Sequence, residues 1–293
     1  MDGQQEGPRQ GKAPAAADVE TDFTARLARL PASRLTGTLG PLVAVLSGLI
    51  RDLRLSPAEF RATLDYLTEV GHYSDARRQE WVLLADALGL SALVEDLATP
   101  RPASATPNTV AGPFYRPDAP ERANGTTISL DGKGVPLQVS GRVTALDGSP
   151  VAAAMVEVWQ ASGQGRYENQ EPDHQPENNL RGRFRADGQG RFAFASVMPG
   201  GYALPSDGPV GRLMAALGLC LERPAHIHFR VSAPGHERLT TQIFDRAHPA
   251  IGRDAVFGVK SELLADFRAV PSPGGQERRA LDVTLVLCPQ RQG

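Results

Sequence analysis

Apolar residues recur every three or four positions through the first third of the chain. This spacing predicts a helical region from about Thr21 to Thr99, because it places the apolar side chains on one face of each helix. The leucine, valine and isoleucine residues between Leu42 and Leu53 form one such face. The N-terminal part of the protein is therefore expected to be helical.

Signals for helix ends divide this region further. Residues Ser56-Pro57-Ala58-Glu59 have the pattern of a capping box with proline in the first turn, so a helix is expected to begin there. Gly71 is its expected end, because glycine commonly follows the last helical residue. A further helix is predicted from Arg77 to Gly89, and a short one from Ser91 to Leu97.

The pattern changes after Pro100, where prolines recur up to Pro120 and indicate a linker. Beyond the linker, short alternating runs of apolar and polar residues are separated by turn signals such as Asp-Gly. The predicted strands are residues 137–143, 155–159, 192–194, 227–229, 243–244 and 283–287, with another around Phe184. Many short strands with glycine and proline between them predict a β-sandwich or barrel.

The two patterns together predict an α+β protein, in which a helical N-terminal domain is followed by an all-β sandwich. We expect the helical domain to span residues 21–105 and the sandwich to span residues 106–290. Residues 1–20 are rich in glutamine, glycine, proline and alanine and lack the apolar segment of a signal peptide. They are predicted to form a disordered tail.

Composition and charge exclude several classes of function. Lysine and arginine number 31 against 33 aspartates and glutamates, so the net charge of −2 gives no basic surface for nucleic acid. No apolar run approaches the roughly 18 residues of a membrane span. The two cysteines, Cys220 and Cys288, are too few for a disulfide framework or a four-thiolate zinc site. They suit a reducing compartment, so a cytoplasmic protein is expected.

The sharpest local motif is His226-Ile227-His228, which lies in a predicted strand. Side chains alternate between the two faces of a strand, so both imidazoles point the same way and can bind one metal ion, while Ile227 enters the opposite face. Two ordinary strand histidines would have the same pattern. Arg223 lies three residues before the first histidine and adds a permanent positive charge to the same region.

The residues that would complete a metal site are not fixed by spacing alone. The carboxylates Glu157, Asp207 and Asp245 lie in or beside the β region and would give a ferrous site with the histidines. Tyr167 and Tyr202 lie in segments rich in glycine and proline, and their phenolates are hard anionic donors that would favour Fe(III). Taken alone, each tyrosine fits a packing residue with a hydrogen-bonded hydroxyl better than a metal ligand.

Several motifs, taken together and in order, resemble those of the intradiol ring-cleavage dioxygenases. They are Arg78-Gln79-Glu80-Trp81, Gly112-Pro113-Phe114-Tyr115, Gly165-Arg166-Tyr167, Pro199-Gly200-Gly201-Tyr202, Asp207-Gly208-Pro209-Val210-Gly211 and Arg223–Phe229. The resemblance extends from about residue 25 to residue 285. It implies a helical dimerisation domain, a sandwich that holds non-haem Fe(III), and a homodimer formed through the N-terminal helices. Relatives bind lipid in an apolar groove, and the sequence leaves open whether this chain does.

The resemblance also implies roles for individual residues. The iron ligands would be Tyr167, Tyr202, His226 and His228. Tyr202 would leave the metal when a diol binds and accept one of its protons, as a general base. Arg223 would lie beside the bound ring and stabilise its anionic form, and Gln242 would stand behind the ligands on the following strand.

The substrate expected from this resemblance is an aromatic diol or triol together with O2. The implied pocket consists of Leu83, Asp86, Val110, Ala111, Gly112, Pro113, Leu204, Pro205, Arg223 and Val256. Leu83 and Asp86 are three residues apart and so are neighbours on one helix face. Asp86 can accept a hydrogen bond from a third ring hydroxyl, which a simple catechol lacks. The segment Asp254–Lys260 is most similar to the hydroxyquinol branch of the family, so cleavage of hydroxyquinol to 3-hydroxy-cis,cis-muconate is expected.

Three alternatives remain at this point. The first is a catechol 1,2-dioxygenase that forms cis,cis-muconate. The second is a transthyretin-like sandwich that binds a small molecule without catalysis, and the third is a hydrolase that uses histidine and carboxylate. Two departures from the family pattern concern the pocket: Ala203 stands where proline commonly follows the tyrosine ligand, and Ala111 stands where a bulkier residue is common in hydroxyquinol enzymes. A small residue at 111 leaves room for substituted rings.

Overall fold

The computed structural model describes residues 17–75, 78–271 and 275–291 of the chain. Two compact units are present, Met1–Thr68 and Glu69–Gly293. Residues 1–16 of the predicted tail lie outside the described residues, and the tail's last four positions, residues 17–20, already belong to the first helix. No helix of the described residues is long and apolar enough to cross a membrane.

The helices of the first unit follow the predicted pattern closely. They are α1 (Ala17–Leu27), α2 (Arg34–Leu53) and α3 (Pro57–His72), the last of which extends beyond residue 68. The predicted capping box is confirmed, because the Ser56 amide donates to Glu59 Oε2 over 2.8 Å and the Glu59 amide donates to Ser56 Oγ over 3.3 Å. The helix continues one residue beyond the expected end at Gly71.

Three helices belong to the second unit: α4 (Glu80–Ala87), α5 (Leu90–Ala98) and α6 (Pro209–Ala216). Helix α4 is shorter than the predicted span from Arg77 to Gly89, and Arg77 itself lies outside the described residues. Its start is delayed because the Arg78 amide donates to Asp75 Oδ1 over 2.7 Å, which forms a turn before the helix. It ends before Gly89, whose φ of +74° suits a glycine at a helix boundary.

Helix α6 was not predicted, since only strands and loops were expected after residue 106. It forms because Pro209 stands in its first turn and the buried Glu80 carboxylate accepts the Val210 amide over 3.1 Å. Val210 and Met214 are buried on one face of the helix. Their spacing of four residues was the signal that could have revealed it.

The strands of the described residues build two larger sheets and one short ladder. They are β1 (Pro136–Ala145), β2 (Met155–Gln160), β3 (Arg181–Arg185), β4 (Arg191–Val197), β5 (Tyr202–Ala203), β6 (Glu222–Arg223), β7 (His226–Ser232), β8 (Leu239–Asp245), β9 (Leu264–Ala265), β10 (Arg268–Ala269) and β11 (Arg279–Leu287). One sheet has the order β10-β11-β1-β4 and the other β3-β2-β7-β8-β9. Strands β5 and β6 pair only with each other.

The core of the second unit lies between the two larger sheets. Alternate residues of both sheets contribute to it, such as Val139 of β1, Phe194 of β4 and Ile227 of β7, and all three are completely buried. This arrangement is a sandwich, and the predicted α+β class is confirmed.

The proline-rich linker before the sandwich is tied to strand β8. The Thr109 amide donates to the Thr240 carbonyl over 2.9 Å, and the Thr240 amide donates to Asn108 Oδ1 over 3.2 Å. Both linker residues are buried. The linker therefore runs along the sheet in a fixed position, and its next residues, Val110 to Pro113, enter the site described below.

Candidate active site

Strand β7 places two histidines side by side, as the alternation of side chains predicts. His226 and His228 are 2% and 1% exposed, while Ile227 between them enters the sandwich core. Their Nε2 atoms lie 3.1 Å apart. Strand β7 has partners on both sides, with Trp159 of β2 opposite His228 on one side and Gln242 of β8 opposite it on the other. The histidines therefore stand on a rigid part of the molecule.

The surroundings keep both imidazoles neutral and free to bind a cation. His226 Nδ1 lies 2.7 Å from the Pro224 carbonyl oxygen, so Nδ1 is assigned as the donor and Nε2 keeps its lone pair. Burial, followed by the nearby Arg223 guanidinium, lowers the pKa of His226. Burial and then His226 lower the pKa of His228. A histidine that ligates a metal must be neutral, so these shifts fit a metal site.

Neighbouring groups fix the orientation of the His228 ring. The Trp159 ring stacks on it with centroids 4.6 Å apart and an interplanar angle of 11°. On another side the linker approaches so closely that a Cβ atom at Gly112 would lie 3.8 Å from His228 Cε1. Gly112 has a φ of +70°, a conformation that glycine adopts without strain.

Tyr167 is fully enclosed and packs in one cluster with Trp159, the residue that stacks on His228. It is 1% exposed, and its ring stacks on Phe114 with centroids 4.1 Å apart. Its Oη atom makes no hydrogen bond in the described structure. Burial, followed by the neighbouring Tyr202, raises the pKa of Tyr167 well above the usual value near 10. A buried phenol oxygen without a partner is costly, and a bound cation would satisfy it and favour the phenolate.

A buried ion pair holds the segment that carries Tyr167. Glu168, the next residue, receives hydrogen bonds from Arg181 Nε over 2.7 Å and from Arg181 Nη2 over 2.8 Å. These two side chains are 3% and 1% exposed. Arg181 also donates to the Phe114 carbonyl, and its Cζ lies 5.8 Å from the centre of the Tyr167 ring. The stacking partner Phe114 and the tyrosine are thus anchored to the same cation.

The loops of the two tyrosines touch through their backbones. Gly165 has a φ of +75°, and a Cβ atom there would lie 2.3 Å from the Gly201 carbonyl oxygen. A Cβ atom at Gly200 would lie 2.6 Å from the Gly163 carbonyl oxygen. The glycines of both motifs are needed because any side chain would force the loops apart.

Tyr202 lies in the short ladder of β5 and β6, directly opposite Arg223. The tyrosine is half-buried, and its ring meets the Tyr167 ring edge-on with centroids 5.8 Å apart. Its Oη atom lies 3.4 Å from Arg223 Nη1. The Arg223 guanidinium therefore lies directly against the oxygen of this phenol.

Arg223 is buried and engaged on two sides. Its Nη2 atom donates to Gln242 Oε1 over 2.7 Å, and its Nε atom donates to Asp254 Oδ1 over 3.0 Å. Gln242 Nε2 in turn donates to the Val110 carbonyl over 3.0 Å, which joins the linker to the centre of the site. Gln242 therefore stands behind Arg223 and touches the linker, whereas the sequence had only placed it behind the ligands.

The remaining residues of the expected pocket are distributed over four segments. Leu83 and Asp86 are half-buried in α4, and Val256 is 5% exposed. Burial raises the pKa of Asp86, while a hydrogen bond from Ser91 and the charge of Arg223 lower it, and the net direction is upward. The other members differ in exposure: Val110, Ala111 and Leu204 are half-buried, and Gly112, Pro113 and Pro205 are exposed.

The carboxylates considered as metal ligands have other partners. Glu157 Oε2 accepts the Tyr115 hydroxyl over 2.8 Å, and Asp207 Oδ2 accepts Arg78 Nη1 over 2.8 Å. Asp245 Oδ1 accepts the Ala247 amide over 3.1 Å. Within the part of the chain that the structure describes, no cluster of three histidines, cysteines, aspartates or glutamates is suited to a metal ion. The site that forms consists of two phenols and two imidazoles.

Three residues of the site were not recognised from the sequence. Asp254 lay inside a segment that was named only for its similarity to one branch of the family, and an acidic residue there gave no specific signal. Trp159 was predicted to lie in a strand, but its pairing with His228 depends on the order of the strands. Arg181 resembles an ordinary strand residue until the fold buries it against Glu168.

Two family models match most of the chain. A family model described as "Dioxygenase" matches residues 110–289, and one described as "Catechol dioxygenase N terminus" matches residues 33–106. Together they cover the helical region and the sandwich.

Individual relatives are similar over most of the chain. A hydroxyquinol 1,2-dioxygenase of Rhizobium sp. (strain MTP-10005) is 44% identical over 81% of this chain and 80% of its own length. A 6-chlorohydroxyquinol 1,2-dioxygenase of Cupriavidus pinatubonensis is 42% identical over 90% of this chain and 94% of its own. The crystal structure of hydroxyquinol 1,2-dioxygenase from Pseudomonas putida DLL-E4 matches with a TM-score of 0.89 and 34% identity, covering 94% of this chain and 99% of that one.

Proposed function

The chain belongs to the intradiol ring-cleavage dioxygenases, and from this premise we propose that it is a non-haem Fe(III) enzyme that cleaves hydroxyquinol (1,2,4-trihydroxybenzene). Cleavage occurs between the two adjacent carbons that carry hydroxyl groups. Both atoms of O2 enter the product, 3-hydroxy-cis,cis-muconate, which is the enol tautomer of maleylacetate. The observation that carries this proposal is the group of two phenols and two imidazoles, of which all but Tyr202 are buried, with Arg223 against the Tyr202 oxygen.

The iron would be held by Tyr167, Tyr202, His226 and His228. The donor atoms suit Fe(III), since the imidazoles are kept neutral and the Tyr167 oxygen has no other partner. When bound, Fe(III) supplies Lewis-acid chemistry that orients the diol and withdraws electron density from its ring. The remaining contributions come from the chain itself.

Tyr202 accepts a proton from one substrate hydroxyl when the diol enters. It suits this role because it is half-buried, lies on a two-residue strand and faces the Arg223 guanidinium. Arg223 then stabilises the negative charge that develops on the ring oxygen as the ring takes its ketonised form. The enclosed Tyr167 remains in place and keeps water away from the inner side of the site.

Asp86 supports the choice of hydroxyquinol over catechol. Its carboxylate lies half-buried on α4, within electrostatic range of Arg223, and can accept a hydrogen bond from the third ring hydroxyl. A substrate without that hydroxyl would offer the carboxylate no such hydrogen bond. The small side chain of Ala111 in the same pocket leaves room for a ring substituent, so we include 6-chlorohydroxyquinol among the substrates, as in the Cupriavidus relative.

Oxygen uptake by the iron-loaded protein tests the proposal. We expect kcat/KM for hydroxyquinol to exceed that for catechol, with one O2 consumed per ring and maleylacetate as the product. The protein should be red, because tyrosinate bound to Fe(III) absorbs visible light. A higher kcat/KM for catechol would assign the chain to the other branch of the family. A protein that stays colourless after reconstitution with iron and consumes no O2 would contradict the proposal and favour a binding module.

On the same resemblance we propose that the protein is a homodimer, and we propose that it is cytoplasmic because its two cysteines suit a reducing compartment. The apolar residues of α2 support a helical interface, because Leu42, Val45, Leu46 and Leu49 are all 47% exposed or more. Light scattering is expected to give about twice the chain mass of 31.3 kDa. A monomer at micromolar concentration would exclude the dimer without affecting the assignment of the reaction.

A further inference from the structure

The buried cation Arg223 is held by a carboxylate that has no assigned role. Asp254 accepts from Arg223 Nε over 3.0 Å through Oδ1 and from Arg223 Nη2 over 3.3 Å through Oδ2. The two side chains are 2% and 4% exposed, respectively. Gln242 Oε1 accepts a further hydrogen bond from Nη2. One edge of the guanidinium is thus fully occupied by a bidentate pair, the geometry that orients a guanidinium best.

In this arrangement a single nitrogen of the guanidinium, Nη1, faces the reacting groups. Arg223 Nη1 lies 3.4 Å from Tyr202 Oη and 3.4 Å from His226 Nε2. Because the guanidinium is planar and rigid, gripping its Nε–Nη2 edge fixes the direction of Nη1. The direction of the nitrogen that would meet the substrate is therefore set by Asp254.

The backbone after Asp254 holds its carboxylate in turn. The Gly258 amide donates to Asp254 Oδ2 over 2.8 Å, and the Phe257 amide donates to the Asp254 carbonyl over 3.1 Å. Phe257 has a φ of +56°, an uncommon conformation for a bulky residue that the surrounding structure must maintain. The turn 254–258 is consequently a preorganised support.

Gly258 leaves the space in which these groups meet. A Cβ atom there would lie 3.1 Å from Arg223 Nη2, 3.1 Å from Asp254 Oδ2 and 3.3 Å from Gln242 Oε1. Such distances are shorter than ordinary contacts, so even a methyl group would displace the three side chains by a few tenths of an ångström. Gly258 is therefore part of the same preorganised support for Arg223.

We propose that Asp254 is a positioning residue, which aims Nη1 of Arg223 at the oxygen of the bound substrate and carries no chemistry itself. The inference rests on the proposed function, since it gives Arg223 a substrate to act on. It predicts that the contribution of Asp254 to turnover passes entirely through Arg223.

A double-mutant cycle in the iron-loaded enzyme tests this dependence. We expect Asp254→Asn to lower kcat for hydroxyquinol about 10- to 100-fold, as the loss of a supporting partner commonly does. Arg223→Gln should lower kcat about 100- to 1,000-fold, as the loss of a donor to a developing anion does. The double variant should match Arg223→Gln within about twofold, because no guanidinium remains to be aimed. Asp266→Asn, which breaks an exposed pair with Arg246, is the matched control and should leave kcat unchanged.

Absorption spectra separate positioning from damage to the metal site. The visible tyrosinate band of the resting Asp254→Asn enzyme should equal that of the wild type, since none of the four ligands is altered. Loss of this band would mean that Asp254 maintains the ligands themselves, which would overturn the inference. Additive losses of kcat in the double variant would overturn it as well.

Gly258→Ala provides a second route, should Asp254→Asn fail to fold with an unpaired buried arginine. It adds one methyl group and changes no charge, so the protein is expected to fold with its visible band intact and a reduced kcat. A Gly258→Ala enzyme with the kcat of the wild type would contradict the proposed positioning. A wild-type enzyme that consumes no O2 with any diol would instead refute the proposed function, and the inference with it.

Discussion

The two tyrosines of the site have the same side chain and different surroundings. Tyr167 is 1% exposed, stacked on Phe114 and anchored through the buried pair of Glu168 and Arg181. Tyr202 is half-buried and lies on a ladder of two residue pairs, which joins neither large sheet. The Tyr202 ring lies 5.7 Å from the His226 ring and its Oη atom 3.4 Å from Arg223 Nη1, whereas Arg181 lies over the ring face of Tyr167.

This difference indicates a division of labour between the two phenols. A side chain that is enclosed and anchored cannot leave its place without breaking a buried ion pair, which is costly. A side chain on a short, half-buried strand can move at little cost, and Arg223 lies beside the Tyr202 oxygen. We therefore propose that Tyr167 is the permanent iron ligand and that Tyr202 is the exchangeable one that receives the substrate proton.

The largest effect is expected for Tyr202→Phe. The variant should lose about 100- to 10,000-fold in kcat, because it lacks the base that accepts the substrate proton. It should retain iron through Tyr167 and the histidines. Metal analysis and O2 uptake measure these two quantities, and Tyr115→Phe serves as a control because that hydroxyl bonds to Glu157 rather than to the site. An unchanged kcat would remove the proposed role of Tyr202.

A large loss of stability is expected when the buried ion pair next to Tyr167 is broken. Glu168→Gln leaves the buried Arg181 without its counter-ion and should lower the free energy of unfolding by about 3–5 kcal/mol. The matched control is Glu121→Gln, whose pair with Arg185 is exposed and should be worth about 0–1 kcal/mol. Denaturant unfolding measures both. Equal small losses of unfolding free energy in the two variants would show that the ion pair of Glu168 and Arg181 does not anchor the Tyr167 segment firmly.

The smallest of these effects concerns substrate choice. Asp86→Ala removes the proposed acceptor for the third hydroxyl and should reduce the ratio of kcat/KM for hydroxyquinol over catechol about tenfold. Stability should change little, since Asp86 is half-buried. Steady-state kinetics with both substrates measures the ratio. A constant ratio would mean that another group recognises the third hydroxyl.

Local patterns predicted much of the fold. The capping box at Ser56, the helices before Pro100 and the alternating strands were all visible in short stretches of sequence. Helix α6 was missed because its local signals are limited to Pro209 and the spacing of Val210 and Met214, while the residue that caps its N-terminus, Glu80, lies 130 residues earlier in the chain. A contact of that sequence separation leaves no trace in local periodicity.

The candidate site was predictable in a similar, limited sense. Alternation alone placed His226 and His228 on one face of a strand, and the motifs pointed to Tyr167 and Tyr202. Asp254 acquires its role only when the turn that carries it meets Arg223, 31 residues earlier in the chain. The residues that support a site depend on which elements become neighbours in the fold. The order of the strands cannot be predicted from any single segment of the sequence.

The assignment of Tyr202 as the exchangeable ligand is tested most directly by the tyrosinate absorption of the iron-loaded protein, recorded before and after anaerobic addition of hydroxyquinol. The visible band should contain contributions from two tyrosinates at rest and from one after the substrate binds. In Tyr202→Phe a single contribution should be present in both states, and the wild-type complex should match it. If the wild-type protein keeps both tyrosinate contributions with substrate bound, or if the Tyr202→Phe protein loses its remaining one, the division of roles between the two tyrosines is wrong.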